Sequence, residues 1–255
     1  MVGKLDGKVA WVTGAGSGIG EAAALALAEE GAVLILTGRR EPPLTDLSNR
    51  ITKSGGHAIV EAADLTDAKA VDGIVERIAK KFSRLDLLVN NAGLNIVERS
   101  WKQISAEGVD KLVHGNLTSA FYCARAVLPM MRAQGGGQMI HTSSMAGRNV
   151  SPLAGPGYIA SKHAVVAMSH SINVEECING IRSTVVCPGE VNTPILKNRP
   201  NPLSDTDLAR MLKPEDCGDL IRYIACLPPG VTMNEVWITP TWNRGYVAAL
   251  ERRPL

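Results

Sequence analysis

A tyrosine and a lysine four residues apart are the pair in this sequence best suited to moving a proton. Tyr158 and Lys162 lie in a stretch with a helical pattern, and side chains at this spacing share one helix face, about 5–6 Å apart at Cβ. The lysine ammonium favours the phenolate, so it lowers the tyrosine pKa from its reference value of about 10. The pair therefore predicts an acid or base that works near neutral pH.

A glycine-rich segment near the start of the chain gives this pair a context. Residues 13–20 (TGAGSGIG) follow an apolar run and open a predicted helix. Glycines at such a turn let the chain bend sharply and bring bare backbone close to a pyrophosphate, which the helix N-terminus also attracts. A tight turn without a ligand is the alternative. A nucleotide-binding turn and a proton donor together predict hydride transfer, with the turn contributing Gly14, Ser17, Gly18, Ile19 and Gly20.

The end of the second predicted strand indicates which dinucleotide is bound. A carboxylate at this point accepts hydrogen bonds from the adenosine ribose and repels a 2′-phosphate. Here Gly38 stands at the expected acidic position, and Arg39 follows with a guanidinium suited to phosphate. The sequence therefore predicts NADP(H), with NAD as second choice. The alternative is that Arg39 and Arg40 are only solvated loop charges.

The elements that must position these residues alternate between short β-rich runs and longer helical ones. Strands are predicted at 8–13, 32–37, 57–62, 86–90, 138–143, 181–187 and 234–239. Helices are predicted at 18–30, 44–54, 67–81, 102–133, 157–178 and 214–227. The strands are apolar throughout, as in parallel strands covered on both faces. This pattern predicts an α/β fold, a doubly wound parallel seven-stranded sheet with helices on both faces. Irregular segments are expected at 40–45, 147–157 and 194–205.

The motifs, taken in order, resemble those of the short-chain dehydrogenase/reductase family in its single-domain form. The resemblance runs from residue 8 to about 194 and, besides the glycine turn, is carried by Asp64-Leu65, Asn90-Asn91-Ala92-Gly93, Asn116, Ser144, Tyr158, Lys162, Pro188-Gly189, Val191 and Thr193. It implies one Rossmann-type domain over 1–255, with a cofactor half in about 1–150 and a substrate loop in about 190–212.

The resemblance also implies a role for each motif. Asp64 and Leu65 would contact the adenine, Asn91, Ala92 and Gly93 would lie beside the cofactor, and Pro188, Gly189, Val191 and Thr193 would hold the nicotinamide carboxamide. Tyr158 would be the general acid or base, and Lys162 would also hydrogen-bond the nicotinamide ribose. Ser144 would orient the substrate oxygen, with Ser143 as the alternative hydroxyl. Asn116 would hold a water linking Lys162 to solvent, or it would only brace a bend in the 102–133 helix.

Composition excludes several other classes of protein. The chain has 255 residues, 45% of them hydrophobic and 20% charged, with a net charge of +2. Basic residues are scattered among acidic ones, which gives no case for nucleic acid, and no apolar run approaches the length of a membrane span. Five cysteines and five histidines are dispersed without ligand spacing, so we expect no metal site and a cytoplasmic protein with reduced thiols.

The sequence thus predicts an NADP(H)-dependent oxidoreductase acting on a small or medium carbonyl or secondary alcohol. An NAD-linked alcohol dehydrogenase and a non-catalytic dinucleotide sensor or scaffold are the alternatives. A Pro-rich loop with Arg199 suggests room for an acidic substrate, although Arg199 also fits a surface position. Small residues on two helices predict a homodimer or homotetramer: Ala120, Ala124, Ala160, Ala164 and Ala167. The resemblance does not explain the tail at 242–255.

Overall fold

A single parallel sheet of seven strands organises the chain. The computed structural model describes residues 3–251. The strands are β1 (Val9–Thr13), β2 (Val33–Thr37), β3 (His57–Val60), β4 (Leu87–Asn90), β5 (Gly137–Thr142), β6 (Ile181–Pro188) and β7 (Glu235–Ile238). They lie in the order β3-β2-β1-β4-β5-β6-β7, and every neighbouring pair is parallel. The predicted fold class is confirmed, with each strand within two residues of its predicted bounds.

Helices cover both faces of the sheet. They are α1 (Gly18–Glu29), α2 (Glu41–Lys53), α3 (Ala68–Phe82), α4 (Ala106–Val113), α5 (Ser119–Ala133), α6 (Pro156–Glu176), α7 (Asp205–Ala209), α8 (Pro214–Ala225) and α9 (Arg244–Glu251). Helices α1, α2 and α8 pack with one apolar cluster, and α3, α5 and α6 with another. Successive residues of β1 alternate between these clusters, so the strand is apolar throughout because both of its faces are buried.

Two predicted boundaries were wrong. Residues 40–45 were expected to be irregular, but α2 begins at Glu41 and accommodates Pro42 and Pro43 in its first turn, where a missing backbone N–H costs nothing. The helix predicted at 102–133 begins only at Ala106 and is interrupted by a wider π-type turn at His114–Thr118. That turn carries Asn116, so the interruption lies at a predicted site residue.

The small-residue argument for subunit contacts is partly wrong. Ala120 and Ala124 are buried in this chain's own core, in the cluster under α3, α5 and α6. Their small size lets these helices pack closely within the chain. Ala160 and Ala167 are exposed on α6. A homodimer or homotetramer stays a prediction.

The carboxyl ends of the strands meet at one edge of the sheet, where the chain order reverses between β1 and β4. Ligands of doubly wound sheets bind at such a switch point. Three loops cover this edge, at 91–105, 143–155 and 189–204. Helix α9, which the sequence did not predict, lies over the same edge and lines the cleft described below. Residues 252–255 of the unexplained tail lie outside the described residues.

Candidate active site

The glycine turn packs too closely against its neighbours to admit side chains at Gly14 and Gly20. Gly14 and Gly18 have φ angles of +64° and +59°, a region that favours glycine. A Cβ on Gly14 would lie 2.9 Å from Cα of Ala92, and one on Gly20 would lie 2.3 Å from the carbonyl oxygen of Gly14. The Ser17 side chain makes no capping hydrogen bond to α1. The N-terminal N–H groups of α1 therefore have no cap from this residue and face the cleft beside bare backbone.

The asparagine segment after β4 fixes this turn against the sheet. Asn91 donates from its side chain to the carbonyl oxygen of Thr13 at 3.3 Å, and its backbone N–H donates to Oγ1 of Thr13 at 2.9 Å. Asn90 instead donates to the carbonyl oxygen of Ala120 on α5 at 2.8 Å. These bonds connect β1, β4 and α5, which holds the turn and the next loop in register.

The tyrosine and lysine come together as the spacing predicts. Nζ of Lys162 lies 5.6 Å from the ring centroid of Tyr158 and donates to the carbonyl oxygen of Thr142 at 2.9 Å. Lys162 is buried, and burial lowers its pKa to about 8. Both side chains line the same cleft. The structure therefore brings the pair into one cleft, and its role in proton transfer stays a prediction.

The expected cause of a low tyrosine pKa was wrong. Burial raises the pKa of Tyr158, while a hydrogen bond with Ser144 and the charge of Arg99 lower it. Lys162 is not among the groups that lower this pKa, and its ammonium donates to the carbonyl oxygen of Thr142 instead. The phenol therefore stays protonated at neutral pH, as a proton donor requires.

The structure distinguishes the two serines after β5. The hydroxyl of Ser143 is buried and donates to the carbonyl oxygen of Lys162 at 2.8 Å. The hydroxyl of Ser144 accepts from the backbone N–H of Ala146 at 3.1 Å and lies beside Tyr158. Ser143 thus holds α6 in place, and the role of Ser144 toward a substrate oxygen stays a prediction.

Asn116 uses its side chain on the backbone. Its Nδ2 donates to the carbonyl oxygens of Leu94 and Leu112, both at 2.9 Å, and its Oδ1 accepts from the N–H of Leu94 at 3.0 Å. A Cβ on Gly93 would lie 2.8 Å from this Oδ1 and 3.4 Å from Nζ of Lys162. These hydrogen bonds agree with the alternative in which Asn116 braces the bend in the predicted 102–133 helix. A water relay through Asn116 stays a prediction.

One cleft of about 1020 Å³ collects most of the predicted site residues. Those that line it are Gly14, Ser17, Gly18, Ile19, Asn91, Ala92, Gly93, Asn116, Ser144, Tyr158, Lys162, Pro188, Gly189, Val191 and Thr193. Gly20 packs behind the turn instead. Arg39 and Asp64 are exposed after β2 and β3, and Leu65 is buried. Arg39 lies close enough to Asp64 to lower the pKa of its carboxyl, after the larger effect of Thr66.

Sequence reasoning missed several charged residues of the cleft. Arg99, Glu190 and Arg244 line it together with Arg199. Arg199 and Arg244 both pair with Glu190. The only sequence signals were that Arg99 lies in the loop after the asparagine segment and that Glu190 directly follows Gly189. Arg244 had no signal, because α9 itself was not predicted.

Comparisons with known proteins decide the family. A model described as short chain dehydrogenase matches residues 8–203. The chain belongs to the short chain dehydrogenase family. An uncharacterized oxidoreductase of Staphylococcus haemolyticus is 34% identical over 239 residues, or 93% of this chain and 99% of the relative. This short chain dehydrogenase is therefore an enzyme, an oxidoreductase that acts on CH–OH or C=O groups.

Solved structures of similar proteins agree with this family. An alcohol dehydrogenase from the archaeon Thermococcus sibiricus, complexed with 5-hydroxy-NADP, has a TM-score of 0.84 at 27% identity, covering 93% of this chain and 98% of that one. A 3-ketoacyl-(acyl-carrier-protein) reductase from Brucella melitensis, complexed with NADH, has a TM-score of 0.83 at 27% identity with the same coverage. The short chain dehydrogenase described here shares their doubly wound sheet.

The residues of the cleft fit a dinucleotide. Bare backbone at Gly14 and Gly18 lines the cleft, and the first turn of α1 presents N–H groups to it. No group of three or more metal-ligating side chains forms within residues 3–251, and the absence of a metal site stays a prediction. Within the same range, no helix combines the length and the apolar character that crossing a membrane requires.

Proposed function

We propose that the chain is an NADP(H)-dependent reductase or dehydrogenase of a small or medium carbonyl or secondary alcohol, with Tyr158 as the general acid or base. The observation that carries this is the convergence of Tyr158, Ser144 and Lys162 in one cleft with the glycine turn. A dinucleotide with its pyrophosphate at this turn would supply or accept the hydride through its nicotinamide. The first half of the chain, about 1–150, would hold the cofactor, and residues 190–212 would cover the substrate.

Residues of the chain donate and remove the proton of the substrate oxygen. In reduction, the phenol of Tyr158 donates its proton to the substrate oxygen as negative charge develops there. The Ser144 hydroxyl donates a second hydrogen bond to the same oxygen and so orients it. The hydrogen bond with Ser144 favours the phenolate that remains, and Lys162 lies beside it with its Nζ 5.6 Å from the ring centroid. In oxidation the same phenolate removes the proton from the alcohol.

The preference for NADP(H) is supported by the end of β2. Gly38 offers no carboxylate to repel a 2′-phosphate, and Arg39 is exposed beside it. The two similar structures hold different cofactors, an NADP derivative in one and NADH in the other. The assignment to this chain therefore depends on its own Gly38 and Arg39. A homodimer or homotetramer and a cytoplasmic location stay predictions.

The test is a screen of NADPH and NADH oxidation over keto acids, keto esters, sugars and ring ketones. We expect turnover with NADPH that Tyr158→Phe lowers at least about a hundredfold while NADPH binding is kept. Tyr223→Phe is the matched control, because Tyr223 is exposed on α8. Full activity of Tyr158→Phe would refute the proton-donor role. NADH preference would favour an NAD-linked alcohol dehydrogenase, and cofactor binding without any turnover would favour a sensor.

A further inference from the structure

Arg99 is a buried cation without a carboxylate partner in the part of the chain that the structure describes. Its side chain is only 6% exposed. It donates to the carbonyl oxygens of Leu153, at 3.4 Å, and Asn198, and its Nε has no hydrogen-bond partner within residues 3–251. Burial and the charge of Arg199 both lower the pKa of this guanidinium. Keeping a charge in such a place is costly unless an anion is bound there.

The cleft around Arg99 has an excess of positive charge. Among the described residues that line it, the cations are Arg99, Lys162, Arg199 and Arg244, and the one carboxylate is that of Glu190. Glu190 is already shared by Arg199 and by Arg244, which lies 2.6 Å away. Glu190 therefore does not neutralise Arg99, whose guanidinium has no carboxylate partner among these lining residues.

This unmatched charge lies next to the reacting group. Arg99 is close enough to Tyr158 for each to affect the pKa of the other. The glycine turn, which would hold the phosphates, contacts Asn91 and Thr193, whereas the guanidinium of Arg99 contacts Leu153 and Asn198. An anion at Arg99 would therefore belong to the molecule that reacts with Tyr158.

We propose that Arg99, supported by Arg199 and Arg244, binds a carboxylate of the substrate, so that the enzyme acts on keto acids or hydroxy acids in preference to their neutral derivatives. A guanidinium matches the planar geometry of a carboxylate, with which it forms two parallel hydrogen bonds. This inference rests on the proposed function of Tyr158 and extends it to a substrate class.

The alternative is that Arg99 has only a structural role and holds two loops together. Its two carbonyl partners belong to the loops at 143–155 and 189–204, and a Cβ on Gly155 would lie 2.8 Å from Cβ of Arg99. Loss of a purely structural residue would lower the activity on all substrates alike. A carboxylate site would affect acids and spare neutral esters, so the ratio of the two activities separates these roles.

The experiment compares 4-oxopentanoate and acetoacetate with their methyl esters, using NADPH and the intact enzyme. We expect kcat/KM for at least one acid to exceed that of its ester about tenfold or more. Arg99→Met should lower kcat/KM for the acid about a hundredfold and kcat/KM for the ester less than about threefold. Arg125→Met is the matched control, because Arg125 is exposed on α5 and pairs with Asp72; it should change neither value.

Two further measurements keep the inference falsifiable if Arg99→Met fails to fold. Glu190→Gln removes the carboxylate that competes for the cluster, so the acid-to-ester ratio should rise severalfold. Calorimetry on the NADP⁺-loaded Tyr158→Phe variant, which lacks the base needed for turnover, should show tighter binding of 3-hydroxybutyrate or 4-hydroxypentanoate than of the matching amide. An equal loss of acid and ester activity in Arg99→Met, an unchanged ratio in Glu190→Gln, or no acid bound more tightly than its amide would overturn the carboxylate site.

The outcomes also separate this inference from the proposed function. Turnover of esters that depends on Tyr158 but shows no preference for acids would overturn the role of Arg99 and leave the oxidoreductase assignment intact. Acid binding that Arg99→Met abolishes, with no turnover of any carbonyl, would support the carboxylate site and refute the assigned chemistry.

Discussion

Asn116 and Leu94 form a reciprocal pair of hydrogen bonds that joins the loop after β4 to the π-type turn between α4 and α5. Nδ2 of Asn116 donates to the carbonyl oxygen of Leu94 at 2.9 Å, and the N–H of Leu94 donates to Oδ1 at 3.0 Å. The second hydrogen of Nδ2 goes to Leu112. Asn116 is 1% exposed, so this amide holds the wall of the cleft from inside.

Asn116→Asp is expected to destabilise the protein by about 2–4 kcal/mol at pH 7. A carboxylate of the same shape accepts from Leu94 but donates nothing, which leaves the carbonyl oxygens of Leu94 and Leu112 facing a buried negative charge. Urea unfolding measures the change, with Asn49→Asp on the exposed face of α2 as the control. A loss of less than about 1 kcal/mol in Asn116→Asp would contradict the bracing role.

The break at Asn116 shows where sequence patterns stop being informative. The order of strands and helices was predictable because burial on both faces leaves long apolar runs. The π-type turn was not, because it depends on packing between segments distant in sequence. A Cβ on Gly115 would lie 2.6 Å from Cδ2 of Leu94, so the glycine there admits a side chain from another loop.

The cluster formed by Arg99, Arg199 and Arg244 could not be predicted from the sequence either. Arg99, Arg199 and Arg244 come from two different loops and from α9, and they lie together only because those segments fold over the same sheet edge. Loops carry no periodic signal. By contrast, Tyr158 and Lys162 were identifiable because one helix fixes their relative positions.

The glycine turn allows a matched test of cofactor binding. Gly20→Ala would bring a methyl group to 2.3 Å from the carbonyl oxygen of Gly14, whereas the Cβ of Gly16→Ala would lie 3.4 Å from a side-chain carbon of Pro43. We expect Gly20→Ala to lose about 2–3 kcal/mol of stability and to weaken NADPH binding at least about tenfold. Thermal unfolding and NADPH fluorescence titration measure the two effects.

Gly16→Ala should remain close to wild type in both measurements. Equal behaviour of the two variants would show that close approach of backbone at Gly20 does not shape the site.

The end of β2 should control the choice of cofactor. A Cβ on Gly38 meets nothing nearer than Cδ2 of Leu44 at 3.6 Å, so Gly38→Asp fits without strain. Its carboxylate repels a 2′-phosphate and accepts hydrogen bonds from a free ribose. We expect kcat/KM with NADPH to fall at least about tenfold and that with NADH to hold or rise, as measured with one carbonyl substrate.

Arg39→Met should also lower kcat/KM with NADPH, while Arg40→Met serves as the neighbouring control. If Gly38→Asp lowers activity with both cofactors equally, the carboxylate position does not contact the adenosine ribose.

Lys162 should lower the free energy of unfolding of the protein at neutral pH. Burial lowers its pKa from 10.5 to about 8, while the unfolded chain keeps the ordinary value. Between about pH 8 and pH 10.5 the unfolded state therefore binds more protons than the folded state, and the free energy of unfolding rises with pH. Below about pH 8 the folded protein bears the full cost of a buried ammonium, which the gap between the two values sets at about 3 kcal/mol.

Lys162→Met removes this titration and should unfold at higher urea concentration than wild type at pH 7, although it loses turnover. The advantage should shrink by about 3 kcal/mol between pH 7 and pH 10, because the wild type gains stability as its lysine becomes neutral. Lys111→Met, at an exposed position on α4, should show no such pH dependence. A constant difference between Lys162→Met and wild type over this range would mean that the ammonium beside Tyr158 is not desolvated, and the lowered pKa of Lys162 would have to be given up.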